Sequence, residues 1–279
     1  MNQSFNSTWL VALAETMAAG SPVAPRGERT LETFSRTVRV NMRTPVLTIP
    51  ERKLNYKFMA AEAHWILSGD NTVAGIAPYN SQLAKFSDDG ETFFGAYGPR
   101  IASQLDYIVQ ALIQDNVTRR AHLNIWRENP PTTRDYPCTV GMTFGLRPHQ
   151  HSKEQLLNLQ VFMRSSDLWL GLPYDVFNFS MLAHLVCCRL RDAGLDWVTP
   201  GELAVTAASS HLYEQRWAPA VKLVDDYHGG QQLILALKSQ AWTPGELSRH
   251  EDFLLDTLAT IKNGSGGHRW WEVGHETIS

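Results

Sequence analysis

The chain has 279 residues, with 25 Lys+Arg against 28 Asp+Glu and a net charge of −3. That length buries a large core without disulfide staples, and a pI of about 6.4 excludes the global basic field of a dedicated nucleic-acid binder. Three cysteines exclude a disulfide framework, and nowhere do about 18 apolar residues run uninterrupted to cross a membrane. Met1 to Gly20 has no basic segment before its short apolar stretch, so a reducing cytosol is the expected compartment, with neither secretion nor membrane insertion. In chain order, residues 35–41 read as a strand. Residues 54–67 (LNYKFMAAEAHWIL) put Phe58, Ala61, Trp65 and Ile66 on one helical face and stop at Ser68-Gly69. A helix is expected over 103–114, and strands over 121–126, 138–147 and 157–164. A helix over 176–193 carries Cys187 and Cys188 as packing residues, and a strand follows over 203–208. A last helix should start at Thr243-Pro244, an N-cap followed by proline, and end near Asn263-Gly264. No linker, repeat or charge block divides the chain. We therefore expect one α/β (α+β) domain over 1–279, a mixed β-sheet with helices on one side. The tail 265–279, with Trp270 and Trp271, is expected either to dock over the body or to fray.

Cys138 sits where a loop rich in Pro, Thr and Arg turns into a strand. Positive charge activates a thiol by favouring its thiolate, and Arg119, Arg120, Arg127, Arg134 and Arg164 all lie on flanking segments. From its own surroundings, Cys138 fits either an activated nucleophile or an inert apolar strand residue. Glu62, beside Ala61 and three residues before Trp65, should face a partly apolar environment that raises a carboxyl pKa.

The segment FMRSSDLWLGLPYD (162–175) resembles the signature of the thymidylate synthase family. Five further segments follow the family's order at compatible spacing: EAHWILSGDNT (62–72), AYGPR (96–100), TRRAHLNIW (118–126), YPCTVGMTF (136–144) and SSHLYEQ (209–215). The resemblance runs from about residue 26 to 215 and implies a thymidylate synthase-like fold. It also implies a reaction. A thiolate adds to carbon 6 of a pyrimidine nucleoside monophosphate, so that carbon 5 can attack the one-carbon unit of the co-substrate 5,10-methylenetetrahydrofolate; no metal is needed.

By this resemblance Cys138 is the nucleophile, Glu62 the catalytic glutamate that orders water, and Tyr97 the group assisting removal of the carbon 5 proton. Arg164 and Ser165 bind the phosphate, and Arg119 and Arg120 reach in from the other subunit of a homodimer with shared sites. Arg26 matches an additional phosphate arginine loosely and equally fits a surface position. His211 and Tyr213 hold the sugar hydroxyl, and Asp167 orients the pterin. Bland readings compete at Glu62, as a solvated helix position, and at Tyr97, as a core aromatic.

The base-reading position of the family is an Asn in enzymes acting on uracil; here it is Asp175. Cytosine presents an acceptor at nitrogen 3 and a donor amine at position 4, which a carboxyl group complements. Asp175 therefore points to deoxycytidylate and to the hydroxymethylase branch of the family. Thr139, Thr143 and Ser209 replace residues usual in the synthases, and Leu83 and Phe86 stand where tryptophans cover the folate. An altered cover and a polar terminus favour water over hydride as the last nucleophile. The alternatives left open are a dCMP methyltransferase, a CMP hydroxymethylase, a dUMP-using synthase or hydroxymethylase, and a non-catalytic nucleotide- or RNA-binding member. The resemblance places the enzyme in the cytosol of a bacterium or a phage-infected host.

Overall fold

A computed structural model describes residues 4–150, 152–228 and 251–263. Six strands form one mixed sheet in the order β1-β2-β6-β5-β4-β3, where β1 is Ser21–Val23, β2 Thr30–Asn41, β3 His122–Asn124, β4 Thr139–Pro148, β5 Gln155–Asp167 and β6 Val198–Tyr213. Every pairing is antiparallel except the central β5–β6 pair, which is parallel. A parallel pair needs a long crossover, and α5 (Leu172–Asp192) supplies it.

The sheet is two-faced because its side chains alternate. Along β5, Leu157, Leu159, Val161 and Met163 are buried, whereas Phe162 is 46% exposed. Helices α1 (Phe5–Ala19), α4 (Gly98–Gln114) and α5 pack against β2, β3–β4 and β5–β6 respectively, and cover the apolar face. On the opposite face Phe162, Thr206 and Thr37 lie in one cross-strand row, with Thr37 and Thr206 hydrogen-bonded at 2.9 Å. The expected mixed sheet with helices on one side is what forms.

Helix α5 is buried around most of its circumference because the sheet, α2 (Tyr56–Leu67), α4 and α7 (Glu251–Asn263) all pack on it. Arg189 fixes that arrangement, pairing with Asp106 of α4 and Glu251 of α7 at 2.7 Å each. Between α2 and α4 lie the short helix α3 (Val73–Ile76) and a 3₁₀ segment, Ser81–Phe86. Asn55 caps α2 through its side chain, and Pro99 and Pro173 sit in the first turns of α4 and α5.

Several boundaries differ from the sequence reading. Helix α4 begins at Gly98 and α5 at Leu172, each earlier than apolar periodicity indicates, because proline in a first turn starts a helix before its buried face does. Strand β6 is ten residues longer than the expected 203–208, since residues 198–202 and the mostly polar 209–213 continue its ladder with β2 and β5. Helices α1 and α6 (Trp217–His228) went unassigned by periodicity. The last helix ends at Asn263 as expected, whereas its expected start at Thr243-Pro244 and the tail 265–279 lie outside the described residues.

Candidate active site

Four elements converge on a cavity of about 160 Å³. Helix α2 contributes Glu62, the start of α4 contributes Tyr97, the first turn of α5 contributes Asp175 and, one turn on, Asn178, and the loop before β4 contributes Asp135. Leu83 and Phe86 of the 3₁₀ segment form an apolar wall. Cys138 ends the same loop, close enough to Tyr97 and Asp175 for their charges to interact.

Glu62 is half-buried, and its Oε2 accepts a hydrogen bond from Asn178 Nδ2 at 2.8 Å. Burial pushes its carboxyl up to about 7, and the Asn178 donor pulls it partly back. The expectation from Ala61 and Trp65 therefore holds. Asp175 lies well above the usual carboxylate range, chiefly through burial and then through the Glu62 and Asp167 carboxylates nearby. Tyr97 caps α4, and its hydroxyl oxygen accepts from the backbone N–H of Thr139 at 3.2 Å and from Thr139 Oγ1 at 3.0 Å. Burial raises its phenol far above the ordinary value.

Arg164 clamps the nucleophile loop. Its guanidinium donates to the carbonyls of Pro137 at 2.9 Å and Tyr136 at 3.0 Å, and its Nη2 lies 3.9 Å from Cys138 Sγ. Of the two readings left open for Cys138, the flanking arginines do not activate the thiol here: burial raises it and outweighs Arg164, Asp175 raises it further, and Arg26 adds a smaller downward pull. The other flanking arginines are engaged elsewhere or remote. Arg134 pairs with Asp88, Arg127 lies over the Phe94 ring, and Arg119 and Arg120 are exposed between α4 and β3, with no side-chain partner among the described residues. Arg26 is exposed, in the left-handed region at φ 54°.

Asp167 and His211 face each other across the parallel β5–β6 pair. Asp167 Oδ1 accepts from the backbone N–H groups of Trp169 at 2.7 Å and Leu170 at 2.8 Å. Its Oδ2 is buried without a partner, as are Ser166 Oγ and His211 Nδ1. Native folds seldom leave such atoms unpaired, so a polar ligand is the natural counterpart. Tyr213 packs edge-on against His211 at 5.2 Å, and Ser165 is half-buried beside Ser209. Among the described residues no His, Cys, Asp and Glu cluster could hold a metal ion, and no helix is long and apolar enough to cross a membrane.

Asn178 and Asp135 were not singled out in the sequence. The spacing of Asn178 from Asp175, one helical turn, was a usable signal. Asp135 lies in an aperiodic loop and carried none.

Residues 8–255 match the family model described as Thymidylate synthase. A thymidylate synthase from Buchnera aphidicola subsp. Baizongia pistaciae is 24% identical over 232 residues, covering 78% of this chain and 83% of that protein. Two proteins described as deoxyuridylate hydroxymethyltransferase are each 31% identical. That of Pseudomonas phage M6 matches over 198 residues, 68% of this chain and 53% of its own, and that of Bacillus phage SP01 over 183 residues, 57% and 45%. The chain thus spans about half the length of those two phage enzymes. Because the family model matches nearly the whole chain, the chain belongs to the thymidylate synthase family of one-carbon transferases, which act on pyrimidine nucleoside monophosphates with methylenetetrahydrofolate as co-substrate.

Proposed function

We propose that the protein is a deoxycytidylate 5-hydroxymethylase. The observation that carries this reading is Asp175, a buried carboxyl in the first turn of α5, raised well above the usual carboxylate range by burial and standing at the cavity wall beside Glu62. A carboxyl donates one hydrogen bond and accepts another. It can give its proton to nitrogen 3 of cytosine and accept from the 4-amino group. If the proton moves to nitrogen 3, the pair remains fully satisfied. Uracil is complemented only while the carboxyl itself keeps the proton, since oxygen 4 is too weak a base to take it. The ionised carboxylate is therefore the state that discriminates: it pairs with cytosine protonated at nitrogen 3 and leaves buried polar groups unpaired against uracil.

Cys138 forms the bond to carbon 6, with Arg164 stabilising its thiolate at the moment of attack. Tyr97, its hydroxyl tied to Thr139, assists removal of the carbon 5 proton. Glu62, titrating near neutrality, holds water and passes protons at the base. Ser165 joins Arg164 in binding the phosphate, His211 and Tyr213 hold the sugar, and Arg26 adds charge from its exposed loop. Bound 5,10-methylenetetrahydrofolate supplies the one-carbon unit. The chain fits it: Asp167 offers a buried, unpartnered acceptor for the pterin N–H groups, and Leu83 and Phe86 offer an apolar wall for its rings.

The sheet face that no described helix covers, with exposed Phe162 and Val140, supports a homodimer, and Arg119 and Arg120, without side-chain partners among the described residues, support their reach into the second subunit's site. A second reading, hydroxymethylation of dUMP, is favoured by the two phage relatives named for deoxyuridylate. Replacing Asp175 by Asn separates the two. The hydroxymethylase reading expects loss of dCMP turnover and gain of dUMP turnover by ~100-fold or more in relative kcat/KM. An unchanged preference contradicts it.

A further inference from the structure

Hydroxymethylation needs more than the binding of nucleotide and folate. Once the one-carbon unit stands on carbon 5 as an exocyclic methylene, with Cys138 still bonded to carbon 6, a water must attack it, and that water needs an acceptor for its proton. Four carboxylates lie in or beside the cavity. The hydroxymethylase reading sets Asp175 against the base and Glu62, bonded to Asn178, at the protons of the base, and Asp167 has one oxygen on two backbone N–H groups and the other buried. Asp135 is the fourth. Its Oδ2 is pinned by the backbone N–H of Gly95 at 2.6 Å, and its Oδ1 has no partner among the described residues. Gly95 permits that approach, because a Cβ there would meet the Asp135 carbonyl oxygen at 2.4 Å. The side chain is half-buried in the cavity lining with Tyr97 and Glu62.

Its place in the chain matters as much. Asp135 precedes Cys138 by three residues, a span of about 10 Å when extended. Arg164 holds the carbonyls of Tyr136 and Pro137 between them. The loop that carries the tether to carbon 6 therefore also carries a carboxylate toward carbon 5, its immediate neighbour in the ring.

Building on the hydroxymethylase reading, we propose that Asp135 is a further catalytic residue, the general base that holds the attacking water and takes its proton. The water oxygen bonds to the exocyclic carbon, and the electron pair of the exocyclic double bond passes into the ring. The ring then expels the Cys138 thiolate from carbon 6, and the proton of the water goes to Asp135. No oxidation or reduction occurs. Burial raises the Asp135 carboxyl, a direction that makes it a better base, while the Gly95 N–H and the nearby Arg100 favour its ionised form.

The test separates the steps before the methylene from the step after it. Asp135→Leu and Asp135→Asn are compared with the wild type on the 5-tritiated nucleotide that the wild type accepts, with and without an added thiol. Asn keeps an acceptor for Gly95 and so preserves the loop. In both variants, first-turnover tritium release is expected to stay close to wild type, while hydroxymethyl product falls ~100-fold, the scale of a lost general base. The added thiol should then capture the stranded methylene as a thioether. Tritium release and product falling together, or neither changing, overturns the role of Asp135. A methyl product from the wild type itself overturns the hydroxymethylase reading and this role with it; hydroxymethyl product from the wild type with an unaltered partition in the variants overturns the role alone.

Discussion

Asn178 and Glu62 stand 116 residues apart and are joined by a 2.8 Å hydrogen bond that links α5 to α2 across the cavity. The bond acts on a carboxyl that burial lifts from 4.5 to about 7. The unfolded chain gives up this proton first as pH rises, so Glu62 costs stability progressively between those two values and by a constant amount above them. Glu62→Gln is therefore expected to be the more stable protein near neutral and mildly alkaline pH, by on the order of 2 kcal/mol, with the difference vanishing toward about pH 4. Chemical denaturation at several pH values measures it. A Gln variant less stable than wild type at alkaline pH would contradict the assignment.

The same carboxyl should govern turnover. The pH profile of kcat/KM is expected to bend near 7, and Asn178→Ala, by removing the hydrogen bond that favours the ionised form, should move that bend upward. An unmoved bend separates Glu62 from the limiting titration.

Cys138 is raised by burial and held back by Arg164. Removing the guanidinium as Arg164→Ala should raise the thiol further and slow its alkylation by iodoacetamide at neutral pH by ~10-fold, one pKa step. Equal alkylation rates in the two proteins would show that Arg164 acts on the loop alone.

Binding of the base has its own proton signature. Above the titration of free Asp175, seating cytosine restores a shared proton between carboxyl and nitrogen 3, so dCMP binding should take up about one proton. The heat of binding then varies with the ionisation enthalpy of the buffer, and Asp175→Asn abolishes that variation. Buffer-independent heats in the wild type at alkaline pH would speak against a cytosine reader.

Shared sites predict complementation. A hybrid of a Cys138→Ala subunit with an Arg119→Ala subunit has one site that keeps both groups, and should regain up to about half of the activity per site that two inactive parents lack. Hybrids that form but stay inactive would remove Arg119 from the partner's site.

Much of this architecture was legible in the residues. Phe58, Ala61, Trp65 and Ile66 announced α2, because a buried helical face imposes its period on the sequence, and a short apolar run over 157–164 announced β5. Glu62 could be read as a raised carboxyl from its apolar neighbours. The length of β6 could not, since 209–213 are mostly polar and gain their ladder partners only from β2 and β5. The state of Cys138 was left open by its sequence neighbours, because they do not reveal burial: Arg164 does reach the thiol, but burial outweighs it, while Arg134 pairs with Asp88 and Arg119 and Arg120 are exposed. Asp135 was invisible for a related reason, since only the close approach of Gly95 brings it into the cavity wall.

The central claim rests on what is made from what. Purified protein incubated with 5,10-methylenetetrahydrofolate and an equimolar mixture of dCMP, CMP and dUMP, followed by mass spectrometry of the nucleotides, reads both the base and the group added. The account predicts a hydroxymethylated deoxycytidylate, with dUMP untouched and no dihydrofolate formed. A methylated cytosine nucleotide accompanied by dihydrofolate, or modification of dUMP alone, would contradict it.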